Sequence, residues 1–109
     1  MTKILFICGK NRRRSPSAEE IFSGMDGIEV SSAGTSVEAE CQVSADLLEW
    51  ADRVFVMEQS QRRYLNAHFA YSLKAKKIVC LNIPDRYSYM QPELVMVLRA
   101  KVLPLLRRS

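Results

Sequence analysis

The chain holds no apolar run approaching the ~20 residues that a membrane-spanning helix needs, so no such helix is expected within it. The first apolar run is short and leads straight into a basic loop, so a secretory leader is not expected. Cysteine is scarce: three residues, an odd number without close-paired spacing, which argues against both a disulfide framework and a zinc site. A single histidine, His68, falls mid-helix beside Phe69 and reads as a partly buried structural residue rather than a catalytic one. Internal repeats, low-complexity tracts and Gly/Ser linkers are all missing. At 109 residues and 48% hydrophobic content the expectation is one domain, residues 1–109, around one core, in a reducing cytoplasm.

What is present is concentrated near the start. Ile4 to Ile7 form a continuous apolar run of the kind found in buried parallel strands. The run ends on Cys8, and Gly9, Lys10, Asn11, Arg12 and Arg13 lead to Arg14, Ser15 and Pro16. Ser15 is a good helix N-cap, and Pro16 suits a first turn, where its missing N–H costs nothing. A loop between such a strand and such a helix would gather backbone N–H groups at the positive end of the helix dipole, which is an anion site. Cys8 stands at its lip. Thiolate is the nucleophilic form of cysteine, and helix N-termini and nearby cations favour it. Arg14 can offer a planar fork to two phosphate oxygens. The chemistry these imply is phosphoryl transfer through a cysteinyl-phosphate, with Ser15 able to donate a hydrogen bond to the thiolate.

The spacing Cys-x5-Arg-Ser-Pro after an N-terminal strand, with Ala18-Glu19 in the following helix, resembles the low-molecular-weight protein tyrosine phosphatases. The segment Val30 to Thr35 looks like that family's second strand and Ser-Ala-Gly turn. The resemblance implies a three-layer flavodoxin-like α/β fold, a four-stranded parallel sheet with helices on both faces. It also implies Cys8 as nucleophile and Arg14 as phosphate clamp, with Gly9 to Ser15 forming the phosphate loop. Asn11 would hold the shape of that loop, braced by Ser32. After the fourth strand, Asp85 and Tyr87 match the first and third positions of the family's Asp-Pro-Tyr loop. That implies Asp85 as general acid and Tyr87 as an aromatic at the pocket mouth. Arg86 replaces the proline, and Pro84 precedes instead. Asp46 and Asp52 are poorer acids, since neither sits naturally at that edge. No metal or other cofactor is implied.

Two departures bear on substrate. Many members carry a second cysteine immediately before the arginine, able to shield the nucleophile as a disulfide; here that residue is Arg13. The residue before it, often apolar against the substrate ring, is Arg12, which weakens the expectation of phosphotyrosine. Lys10, Arg12, Arg13 and Arg14 crowd the site and favour a polyanionic substrate. Two further basic groups, Lys74-Lys76-Lys77 and Arg107-Arg108, read as solvated surface. Cys41 falls in a loop, Cys80 in an apolar strand as a small hydrophobe, and Trp50 and Phe55 in the core.

Beyond the first helix (16–24), Gly24 and Asp26-Gly27 make a turn, and 28–33 is the second strand. Ser44 caps a helix to Ala51, Arg53 to Met57 is the third strand, and Ser60 caps a helix from Gln61 to Tyr71. Lys77 to Leu81 is the fourth strand. Pro92 opens a last helix to Leu103, with Val95, Leu98, Val102 and Leu105 on its buried stripe. Alternation of strand and helix implies a parallel sheet covered on both faces. Three functions follow. The leading one is a cysteine-dependent phosphomonoester hydrolase acting on a phosphorylated protein or small molecule. A second is an arsenate reductase, disfavoured because Met57 to Ser60 holds no resolving thiol. The third is a phosphate- or nucleic-acid-directed protein using the basic loop, for which no motif is present.

Overall fold

The computed structural model describes residues 1–74 and 76–106. The elements alternate as β1 (Thr2–Cys8), α1 (Arg14–Phe22), β2 (Ile28–Gly34), α2 (Ala45–Trp50), β3 (Arg53–Val56), α3 (Gln59–His68), β4 (Ile78–Cys80) and α4 (Pro92–Leu106). All pairings are parallel, in the order β2-β1-β3-β4, so β1 is central and every strand ends at the same edge. Cys8 lies in register with Gly34, and Phe6 with Phe55.

Strand period two divides the core. Ile4, Phe6 and Cys8 face α1 and α4, where they pack with Phe22, Phe55, Leu94, Leu98 and Val102. Leu5 and Ile7 face the other side, against Leu48 of α2 and Leu65 of α3. Both faces of β1 are therefore covered, and its continuous apolar run follows from that burial. Phe6 stacks between Phe22 and Phe55 at 5.8 and 5.4 Å. Burying one such ring contributes about 1.5–3 kcal/mol. The expected flavodoxin-like architecture, four parallel strands with helices on both faces, is what the chain forms.

Several local expectations are corrected. Helix α1 begins at Arg14 with Arg13 as N-cap and no side-chain cap bond. Ser15 lies inside the first turn, fully buried, because its hydroxyl is committed elsewhere. Ser60 is likewise not a cap. Glu58 caps α3, its carboxylate accepting from the Gln61 N–H while Gln61 Oε1 accepts from the Glu58 N–H at 2.9 Å. The buried stripe of α4 is Leu94, Leu98 and Val102; Val95 and Leu105 are only partly covered. His68 is exposed at the end of α3, lying against the Tyr64 ring at 4.3 Å, rather than partly buried. Trp50 is half-buried at the margin of the second cluster, while Phe55 is core. Cys80 is half-buried because β4 is an edge strand, and its thiol donates to Asn82 Oδ1 at 3.3 Å. Lys74 and Lys77 are exposed, but Lys76 donates to the Leu48 and Glu49 carbonyls at the end of α2. Arg107 and Arg108 lie outside the described residues.

Candidate active site

The edge at which the strands end carries a cavity of about 500 Å³. Cys8, at the tip of β1, lies at its base and is only 3% exposed. The thiol sulfur is 2.9 Å from Ser15 Oγ and accepts from the Asn11 N–H at 3.2 Å. The chain can fold back on its own sulfur because Asn11 takes φ +55°, a left-handed conformation that asparagine tolerates better than most residues. The Asn11 side chain then fixes the loop from within: Nδ2 donates to Ser15 Oγ at 2.9 Å and to Ser32 Oγ at 3.0 Å. Ser32 in turn donates to Glu19 Oε1 at 2.5 Å. Strand β2 and helix α1 thus both hold the loop.

A second layer comes from the loop that follows β2. Thr35, Ser36 and Glu40 donate backbone N–H groups to the carbonyls of Cys8, Gly9 and Lys10 at 3.0, 2.9 and 3.0 Å. The approach is close enough that a side chain at Gly34 would collide with the Gly9 carbonyl oxygen and lie 2.8 Å from the Ala39 Cβ. Glycine is therefore required at Gly34 by space, not by φ.

Arg14 is 3% exposed, and a buried guanidinium needs partners. It donates from one terminal nitrogen to Glu58 Oε1 at 2.7 Å and to the Ile83 carbonyl at 2.8 Å. Its Nε lies 3.7 Å from Asp85 Oδ1. Asp85 itself is exposed and lines the cavity, as do Gly9, Lys10, Arg12 and Arg13.

The folded chain thus brings together Cys8, Gly9, Lys10, Asn11, Arg12, Arg13, Arg14, Ser15, Ser32 and Asp85. Tyr87 is the exception. It is 8% exposed and belongs to the core cluster under α1 and α4, and it is not among the residues that line the cavity. The aromatic at the cavity is Tyr64 of α3, half-buried and placed there by the helix that Glu58 caps. Glu58 and Tyr64 are the residues that sequence reasoning missed. The Glu58–Gln61 capping pattern was the signal available for the first; the helical spacing of Ser60, Gln61 and Tyr64 was the one for the second. Asp52, at the opposite edge, accepts from the Lys3 N–H at 2.8 Å and is structural.

The four cations line the cavity as expected, but three of them have carboxylate partners. Lys10 pairs with Glu38 at 3.6 Å, Arg12 with Glu40 at 3.3 Å, and Arg14 with Glu58 and Asp85. Four carboxylates therefore stand among the four cations of the loop. Among the described residues, no group of three or more His, Cys, Asp or Glu is arranged to hold a metal ion, and no helix is long and apolar enough to cross a membrane.

Residues 3–53 match the family model described as low molecular weight phosphotyrosine protein phosphatase. No curated protein matches the chain. Solved structures similar to it include a low molecular weight protein tyrosine phosphatase from Streptococcus pyogenes, with TM-score 0.81 at 18% identity, covering 99% of this chain and 93% of that one. Another, from T. tengcongensis, gives TM-score 0.80 at 21% identity, with each chain covered over 100% of its length. The YwlE arginine phosphatase from Geobacillus stearothermophilus gives 0.78 at 20% identity, covering 99% of this chain and 94% of that one.

Proposed function

We infer that this chain, a short and divergent relative of the low molecular weight phosphotyrosine protein phosphatases, is a cysteine-dependent phosphomonoester hydrolase. The observation that carries the reading is the Cys8 sulfur, held by Ser15 Oγ and the Asn11 N–H, in a cavity that Arg14 and Asp85 also line.

The steps follow from that arrangement. A phosphomonoester enters with its phosphorus over Cys8. Arg14 and the loop N–H groups at the N-terminus of α1 hold the non-bridging oxygens and neutralise the charge that builds on them. The thiolate attacks in line, forming the S–P bond as the P–O ester bond breaks, and Asp85 gives its proton to the departing oxygen. Asp85, now a carboxylate, takes a proton from water as that water attacks phosphorus. The S–P bond breaks, inorganic phosphate leaves, and the thiolate returns to its bond from Ser15, which makes it a better leaving group. Tyr64 offers the leaving group an aryl face. The substrates are phosphorylated proteins or small phosphorylated molecules. A reducing compartment such as the cytoplasm keeps Cys8 a thiol.

Hydrolysis of a small aryl phosphate, with reductant and chelator present, tests the reading. Turnover lost in Cys8→Ser and retained with chelator is the expected result. Normal turnover by Cys8→Ser would overturn it.

A further inference from the structure

Glu38 and Glu40 stand in the loop that is bonded along the phosphate loop. Their placement is built rather than incidental. The three backbone bonds from Thr35, Ser36 and Glu40 fix the loop's path, and Gly34 lets it press against Gly9. Ser36 turns the tip, its hydroxyl accepting from the Glu38 N–H at 3.0 Å and its carbonyl from the Ala39 N–H at 3.1 Å. Two glutamates two residues apart are thereby set against two cations two residues apart, Lys10 and Arg12.

All four side chains remain about half exposed or more, 49–66%. Pairs this exposed contribute little to stability. What they change is the field at the mouth. With Glu38 and Glu40 in place, a second anion arriving beside the phosphate meets carboxylates and must displace them to reach Lys10 or Arg12. A neutral or cationic neighbour meets no such opposition. We propose that Glu38 and Glu40 set the charge selectivity of the phosphate site, turning it from polyanions toward phosphomonoesters whose flanking groups are neutral or cationic. This rests on the phosphatase reading for its substrate class. It reverses the preference that the run Lys10 to Arg14 alone would give.

The test is equilibrium binding of two phosphotyrosyl peptides, one with acidic and one with basic flanks, to the chain in a Cys8→Ser background, so that no turnover is needed. The chain with Glu38 and Glu40 intact binds the basic-flanked peptide more tightly. In Glu38→Gln/Glu40→Gln the ratio of the two affinities moves toward the acidic peptide by about three- to ten-fold at low salt, and the shift shrinks as salt rises. Asp26→Asn/Glu29→Gln removes the same net charge at the far end of the sheet and leaves the ratio where it was. An unchanged ratio in the Glu38/Glu40 variant, an equal shift in the Asp26/Glu29 control, or no binding of either peptide overturns the proposal. The phosphatase reading fails separately, on aryl phosphate turnover by the unaltered chain.

Discussion

Glu58 and Arg14, 44 residues apart in the chain, meet at 2.7 Å with the arginine almost wholly buried. One terminal nitrogen of the guanidinium is thereby committed to the carboxylate and to the Ile83 carbonyl. Glu58 is itself fixed as the cap of α3. Arg14, the proposed phosphate clamp, is thus aimed by the end of β3 and by the loop after β4, two elements distant from it in sequence.

Removing that aim should cost activity beyond its cost to the fold. Glu58→Gln, which keeps the shape but loses the charge, is expected to lower kcat/KM about ten-fold, and Glu58→Ala about 100-fold. Inorganic phosphate should bind more weakly in both. The lost cap in Glu58→Ala adds about 1 kcal/mol of destabilisation. Urea unfolding beside steady-state kinetics separates the two; an Ala variant that loses stability but keeps phosphate affinity would assign Glu58 to the fold alone.

Asn11 combines a left-handed backbone with two side-chain bonds. Asn11→Gly keeps the backbone geometry and loses the bonds, whereas Asn11→Ala loses both. The alanine variant should be less stable than the glycine variant by about 1 kcal/mol, while both lose most turnover. Equal stability, with activity kept in the glycine variant, would mean that the side-chain bonds do not shape the loop.

Gly34→Ala forces a methyl into the Gly9 carbonyl. About 2 kcal/mol or more should be lost, seen as a lower urea midpoint, together with activity. Gly24→Ala, where a methyl meets open space, is the control and should change little.

Asp85 lines the cavity beside Arg14, and the proposed acid step makes its effect depend on the leaving group. Asp85→Asn should slow alkyl phosphates by about 100-fold or more and activated aryl phosphates far less. Equal slowing across the series would leave it only the role of a charge near Arg14.

The legible part of the site was the local part. Cys8, Asn11, Arg14 and Ser15 fall within eight consecutive residues, and one strand-loop-helix transition places them all. Ser32 came only through the resemblance of Val30 to Thr35 to the family's second strand and turn; the pairing of β2 beside β1 is what carries it to Asn11. Glu58 was not legible as a partner of Arg14, since its pairing depends on where β3 ends beside β1. Tyr87 was misplaced for a related reason: its ring turns into the core under α1 and α4, and a loop's spacing does not encode that turn. Only half of the charge at the mouth is legible, because the cations are consecutive in sequence while their carboxylates come from other segments, with Glu38 and Glu40 on the loop after β2. Similarly, Ser15 has the chemistry of a cap, but its hydroxyl serves Cys8 and Asn11.

The central claim is that phosphate passes through the sulfur of Cys8. Acid-quenching the enzyme during turnover of an aryl phosphate and mapping phosphate by peptide mass spectrometry tests it directly. Phosphate on the peptide carrying Cys8, accumulating further in Asp85→Asn and missing in Cys8→Ala, is the predicted result. Continued turnover by Cys8→Ala, or turnover by the unaltered chain with phosphate trapped on a different residue, would contradict it.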